Sequence, residues 1–416
     1  MTLTCLIVGA SHAAAQLAPS LRQEGWLGRI LVLADEPSLP YHRPPLSKAY
    51  LLGEKNHEGL LIRSQAAYDK IGVEFKLGVH VQAIDRSAKT VTLDTGECLS
   101  YDKLALCTGS RVRKVNLPGA HLPGVHYLRT LLDINRIKQD ALACKHAVVV
   151  GGGYIGLEGA AVLRKLGMTV TVLEMAPRIL ARVTSPEMSE FFTRVHGEEG
   201  VSLRTGIAVE GFEGGDHVQQ VRCADGTLIP ADLVVVGIGI LPNVELAQEA
   251  GLAVDNGILV DEYCRTSDPD IVAAGDCTNH PNALYQQRLR LESVPNATDQ
   301  AKTAAASLCD KEKPYHSLPW FWSDQYDIKL QIVGLSQGYE RIVMRGDWLK
   351  GRSFAAFYLK HGKVISIDCV NRPQEFMVGK RLVSEQIEID PARLADETIA
   401  MKDLIPAQGH PFQGLR

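Results

Sequence analysis

The stretch "VVVGGGYIGLE", residues 148–158, decides how the rest of the chain is read. Residues 148–150 are β-branched and apolar, which predicts a buried strand, and helical periodicity runs over residues 157–166. Between them Gly151, Gly153 and Gly156 stand at the spacing of a phosphate-binding turn. Gly151 suits the tight turn, Gly153 admits a pyrophosphate to the backbone, and Gly156 lets the helix pack closely on the strand. A second strand, "MTVTVLE", ends at Glu174, 18 residues past Gly156. A carboxylate there hydrogen-bonds both ribose hydroxyls and repels a 2′-phosphate, so the unit predicts a site for NADH rather than NADPH. The competing reading of the glycines alone is a plain structural turn.

About a third of the chain precedes this unit, and it repeats the plan. "LTCLIVGASHAAAQLAPSLRQEGWLGRILVLADE", residues 3–36, reads strand, turn, helix, strand. Gly9 is kept, while Ser11 and Ala14 replace the second and third glycines with small residues, and Asp35 and Glu36 bring the acid to the end of the second strand. Alone this is either a nucleotide site or a strand-helix corner. Two later strand ends favour the site: "YDKLALCTGS" closes on Thr108 and Gly109, and "TSDPDIVAAGDC" on Gly275 and Asp276. A carboxylate so placed accepts a hydrogen bond from a sugar-alcohol hydroxyl, and it also suits a helix start.

Bulk properties narrow the class. With 416 residues the chain needs several cores, and a net charge of −4 without like-charge runs argues against a general nucleic-acid or membrane-surface binder. The longest apolar stretch, residues 231–242, holds an Asp and two glycines and falls short of the roughly 20 residues that cross a bilayer. It reads as a buried strand. The N-terminal run lacks a basic leader and ends in the first glycine turn, so a cytoplasmic protein is expected. The nine cysteines are scattered and never spaced CxxC or CxxxxC, which argues against a disulfide framework, a zinc site or a redox-active pair; no metal is expected.

The two fingerprints, "CTGS", "AAGDC", "LPYHRPPLSKAYL" (39–51), "RLESVPNATDQA" (290–301) and "PWFWSDQ" (319–325) together resemble the two-dinucleotide flavoproteins of the glutathione reductase superfamily. More narrowly they resemble the NADH-dependent ferredoxin reductases of bacterial oxygenase systems, over essentially the whole chain. The resemblance implies an α/β fold with two Rossmann-like dinucleotide-binding domains, the NADH domain nested in the FAD domain, plus a C-terminal α+β domain. The expected segments are 1–112 and 242–314 for FAD, 113–241 for NADH and 315–416 for the last domain. The C-terminal part is marked by "KLQIVG", "ERIVMRG", a hairpin turning at His361 and Gly362, and the helix "PQEFMVGKRLVSEQ".

The same resemblance implies roles for single residues. FAD is expected to meet Gly9, Ser11, Ala14, Glu36, Arg43, Lys48, Thr108, Gly109, Arg111, Asp276, Val294, Pro295 and Trp322. NADH is expected to meet Gly151, Gly153, Tyr154, Ile155, Gly156, Glu158, Glu174, Arg182 and Gly239. Lys48 and Glu158 are the expected catalytic pair, ordering the site of hydride transfer. Alternatives stand beside several of these. Glu158 also suits a helix-start carboxylate and Tyr154 a packing aromatic; Trp320 or Trp322, expected against the cofactor, also suits a core position, and Arg178 and Arg182, expected at the NADH adenosine, and Arg111 and Arg113, expected at the FAD adenosine, also suit a solvated surface. Pro295, opening an Ala-rich helix, is expected to leave free N–H groups aimed at the flavin.

No cysteine stands in "YHRPPLSK", so electrons reaching a flavin have no internal dithiol to leave through, and a one-electron exit to an external carrier is expected. The expected partner is a [2Fe-2S] ferredoxin serving an oxygenase, docked on a basic rim drawn from Arg288, Arg290, Lys380 and Arg381 by a monomer or homodimer. A rubredoxin reductase, another NADH-dependent flavin reductase, and a redox-switched binding protein resembling apoptosis-inducing factor are the alternatives.

Overall fold

The computed structural model describes residues 3–405. Its first sheet has five parallel strands in the order Ile271–Ala273, Lys103–Leu106, Thr4–Val8, Arg29–Ala34 and Val73–Leu77. Ile7 stands opposite Val32 on one side and Ala105 on the other. The strand read from "LTCLIV" is buried on both faces, as a parallel sheet with covered faces requires. Helix His12–Glu24 covers one face and ends at Gly25, whose φ of 100° terminates it in the left-handed region. Alanines dominate its contact with helix Val294–Leu308, where Ala14 and Ala18 meet Ala297, Ala301 and Ala305 in one core.

A second all-parallel sheet has the order Ser202–Thr205, Thr169–Glu174, His146–Val150, Leu233–Val236 and Val125–Tyr127. The repeat extends beyond the fingerprints. Each unit inserts a three-stranded antiparallel meander, residues 81–100 in the first and 209–230 in the second, before the strand that returns to the centre of its sheet. The chain passes between the units along an antiparallel pair, Ser110–Val112 against Ile240–Pro242, so the second unit is nested in the first. The expected single buried strand over residues 231–242 is therefore two. Leu233–Val236 is fully buried in the nested sheet, and after a turn Ile240–Pro242 joins the linker pair.

The last module is a five-stranded antiparallel sheet in the order Trp320–Gln325, Ile328–Gly334, Lys363–Val370, Phe354–Lys360 and Arg341–Arg345. The hairpin turns at His361 and Gly362, both at positive φ. Period-two alternation sends Phe354, Ala356 and Tyr358 to one face and Ala355, Phe357 and Leu359 to the other. The second face takes helix Pro373–Ser384 through Phe376, Leu382 and Val383. The first packs on Phe191, Phe192 and Val195 of the nested unit's helix Pro186–Glu198, so those two modules share one core. Leu46 and Tyr50 of the first unit belong to the same cluster, which carries the "YHRPPLSK" segment to the junction of all three modules. Among the described residues no helix is long and apolar enough to cross a membrane.

Candidate functional site

Both glycine turns lie where the central strand of a parallel sheet parts from its returning neighbour, the crevice in which such sheets take ligands. Gly9 has φ 100° and a methyl on it would stand 2.2 Å from Cys107 O; for Gly151 the values are 112° and 2.3 Å from Gly237 O. No other residue fits either position. Neither fingerprint helix has a side-chain cap, in contrast to helices Leu131–Ala141, Pro186–Glu198 and Val294–Leu308, capped by Thr130, Ser185 and Ser293. Open first-turn N–H groups beside a glycine turn fit a pyrophosphate in each unit.

In the first unit, Glu36 accepts from Arg43 Nη2 at 2.6 Å and from Tyr41 Oη at 2.5 Å, and Arg43 Nε reaches Ser11 Oγ at 3.1 Å. Asp276 Oδ2 accepts from Ser110 Oγ at 2.9 Å and Arg129 Nη2 at 3.1 Å, while Oδ1 has no protein donor among the described residues. Ser11, Glu36, Arg43 and Asp276 thus line one crevice, together with Arg129, which the sequence reading missed. Its signal was faint: one arginine after a short strand, next to Thr130, whose side chain forms a capping box with Asp133. Thr108 Oγ1 donates to Asn243 O at 2.7 Å and Gly109 takes φ 63°, so that turn is stapled to the returning chain.

In the second unit, Glu174 accepts from Gly152 N and Ala176 N, both at 2.7 Å, which holds its carboxylate against the glycine turn. Arg182 lies beside Gly239, with Nη2 3.8 Å from where a methyl on that glycine would be. Arg178 is spent otherwise. It donates to the carbonyls of Ala181, Thr184 and Ser185 and to Ser189 Oγ, stapling the loop that carries Arg182. Ile155 is exposed at the helix start, and Tyr154 packs edge-on against Phe321 at 5.3 Å.

Three segments far apart in sequence meet at the junction of the modules. Lys48 follows Pro44–Ser47, a single 3-10 turn opened by two adjacent prolines, whose fixed φ suits a helix start. Lys48 Nζ lies 3.0 Å from Glu158 Oε1 and 3.9 Å from Asp324 Oδ2. Glu158, 3% exposed, also accepts from Ser47 Oγ at 2.8 Å and Ser323 Oγ at 2.7 Å. A buried carboxylate is costly without partners, and removing the cation of such a pair costs about 3–5 kcal/mol. Ser47, Ser323 and Asp324 were not found from sequence, because nothing in their local spacing marks a contact across more than 100 residues.

Several other expected residues have protein partners of their own. At helix Val294–Leu308, Ser293 Oγ accepts from Asn296 N and Pro295 has no N–H, so Val294 supplies the one unclaimed donor of the first turn in place of several. Trp320 is occupied by Lys380, whose Nζ lies 4.4 Å from its ring, and Trp322 stands beside it at 5.7 Å. Arg111 is paired with Glu245 at 2.6 Å. Of the proposed basic rim, Arg290 is neutralised by Glu292 and Arg381 by Glu385. Arg288, bonded to the carbonyls of Val260 and Asn279, and Lys380 have no carboxylate partner among the described residues.

A model of the pyridine nucleotide-disulphide oxidoreductase family matches residues 3–301, and one described as reductase C-terminal matches residues 320–405. Putidaredoxin reductase of Pseudomonas putida is 45% identical over 97% of this chain and 96% of its own. The ferredoxin reductase subunit of the 5,5′-dehydrodivanillate O-demethylase of a Sphingobium species is 43% identical over 97% and 99%. Among solved structures, the covalent putidaredoxin reductase–putidaredoxin complex superposes with a TM-score of 0.93 at 44% identity, covering 96% of this chain and 97% of that one.

Proposed function

Since the chain belongs to the pyridine nucleotide-disulphide oxidoreductase family and carries its C-terminal reductase domain, we propose that it passes electrons from NADH through FAD to a [2Fe-2S] ferredoxin serving an oxygenase. It is an oxidoreductase that uses FAD and NAD(H). Segments 1–112 and 242–314 are assigned to the FAD domain, 113–241 to the NADH domain and 315–416 to the C-terminal domain, residues 1–2 and 406–416 lying outside the described residues, with the protein working in the cytoplasm. FAD supplies an acceptor that takes two electrons as a hydride and releases them singly.

The observation that carries this reading is the Lys48–Glu158 pair, whose carboxylate is buried where the two dinucleotide units meet. Glu158 rises from the nested fingerprint helix and Lys48 from the FAD unit, so the pair ties the nicotinamide side to the flavin side. Ser47 and Ser323 hold the carboxylate in one orientation, and Lys48 keeps its ammonium between Glu158 and Asp324 at the edge of the site. Gly9, Ser11, Ala14, Glu36, Arg43, Thr108, Gly109, Arg111, Asp276, Val294, Pro295 and Trp322 are assigned to FAD. Gly151, Gly153, Tyr154, Ile155, Gly156, Glu174, Arg182 and Gly239 are assigned to NADH, with Glu174 setting the preference over NADPH. Nine free thiols, six of them buried, offer no paired route for electrons, in keeping with an external carrier. Arg288 and Lys380 supply its docking charge.

Anaerobic mixing tests the whole path. NADH should bleach the flavin absorbance rapidly, and a [2Fe-2S] ferredoxin added next should become reduced. Bleaching without onward transfer would exclude this acceptor class, and a protein purified without flavin that takes up none would overturn the reading of the first unit.

A further inference from the structure

The residue after Ser11, His12, opens the first fingerprint helix. Its side chain is 7% exposed and its Nε2 has no hydrogen-bond partner among the described residues. Leaving a buried polar group unpaired is costly, so such a nitrogen in a crevice points to a missing partner. The same position in the nested fingerprint, the residue after Gly153, is Tyr154, and its hydroxyl is also buried, with no partner at hydrogen-bonding geometry among the described residues. The two copies of the plan therefore each present an unsatisfied side-chain group at the start of the fingerprint helix.

The surroundings of His12 show what kind of partner is missing. The His42 ring lies 5.7 Å away, and Arg43, Arg129 and Asp276 bring charge from three other segments. Arg43 occupies the Ser11 hydroxyl, which therefore caps no backbone N–H of the helix. Asp276 is bonded to Arg129 and Ser110, and Glu36 to Arg43. Burial, together with the neighbouring His42, Arg43 and Arg129 and against the pull of Asp276, lowers the His12 pKa to about 4. The imidazole is thus neutral at working pH, with one N–H to donate. Open helix N–H groups, two arginines and an unpaired ring nitrogen are arranged for an anionic oxygen.

We propose that His12 binds the pyrophosphate of FAD through Nε2–H, as a side-chain donor beside the backbone N–H groups of the helix start. This rests on the FAD reading of the first unit. A histidine here adds a directional hydrogen bond to an anion, which the aliphatic residues of the same helix cannot supply.

Deflavinated protein titrated with FAD, followed by quenching of flavin fluorescence, tests the assignment. His12→Leu should weaken FAD binding by about tenfold or more, and His12→Gln, which keeps an amide N–H, should recover most of the loss. The phosphorus NMR spectrum of bound FAD should shift in His12→Leu while the flavin absorbance keeps its shape. Wild-type affinity and an unchanged phosphorus spectrum in His12→Leu would overturn the proposal. A reading that needs no loaded variant comes from wild-type protein labelled with nitrogen-15 histidine. The His12 ring resonance, assigned by its absence in His12→Gln, should move on adding FAD, and an unmoved resonance would refute the contact. If wild-type protein takes up no FAD under any of these conditions, the reading of the unit fails first, which is distinct from FAD binding that ignores His12.

Discussion

Gly9 and Gly151 occupy the same place in two copies of one plan, yet the residues after them diverge, and the divergence follows the space around each turn. At Gly153 a methyl would meet nothing within 4 Å, and the first copy has Ser11 there. At Gly156 a methyl would stand 2.2 Å from Gly151 O, while the first copy buries Ala14 at the equivalent point. At Gly152 it would press on Ile179 and Glu174, because the loop after Glu174 folds over the second turn. The strict requirement lies in the first glycine, whose positive φ and contact with the returning strand are common to both copies. The rest of the motif is set by local packing, which explains why a degraded fingerprint still forms the same turn.

The copies also differ in what lies beyond them. The first packs its fingerprint helix on another helix of its own domain, and the second lends Phe191, Phe192 and Val195 to the C-terminal sheet. That seam includes Asp368, buried and accepting from Tyr358 Oη at 2.6 Å and Thr184 Oγ1 at 2.7 Å.

The largest effects are expected where the copies agree. Gly9→Ala and Gly151→Ala should each cost about 3 kcal/mol or more through strain and overlap with a carbonyl. The first should abolish FAD retention, and the second NADH binding in a protein that still holds FAD. Equal loss of both ligands in both variants would break the claim that the turns serve separate sites.

Next comes the seam. Burial raises the Asp368 pKa to about 6, against about 4 in an unfolded chain, with the Tyr358 and Thr184 hydroxyls opposing the shift. Between these values the folded state keeps a proton that the unfolded state releases. This contribution is therefore fully present below about pH 4 and lost as pH rises through about 6, by up to about 3 kcal/mol. The Tm of wild type relative to Asp368→Asn should fall over that window, and a constant difference would show that Asp368 does not titrate there.

Lys48→Ala should slow flavin reduction by NADH about a hundredfold, by leaving Glu158 without its cation. Stopped-flow absorbance at full FAD occupancy measures this, and a wild-type rate would remove Lys48 from the reaction. Glu174→Ala should lower the preference for NADH over NADPH by about tenfold, read as the ratio of kcat/KM values. Selectivity that stayed put would free Glu174 for its role of holding Gly152. The smallest effect is expected where the copies differ at no cost. Gly153→Ala, at φ −82° and in open space, should change stability by no more than about 0.5 kcal/mol.

Much of this architecture is legible in the sequence, since strand, glycine turn and helix are local and their signals sit within about 30 residues. The motif spacing marks both units, the acids Glu36 and Glu174, the hairpin at His361 and helix Pro373–Ser384. What it leaves open is how functional side chains are spent. Arg178 and Arg182 read alike in sequence, but one staples a loop and the other lies beside Gly239. Arg129 has no motif of its own and reaches Asp276 only because two strands of different sheets end at one crevice. Local pattern determines elements because backbone hydrogen bonding and side-chain periodicity act over a few residues. The placement of Lys48, Glu158 and Ser323 around one another depends on a shared core that joins three modules, and only the tertiary structure decides it.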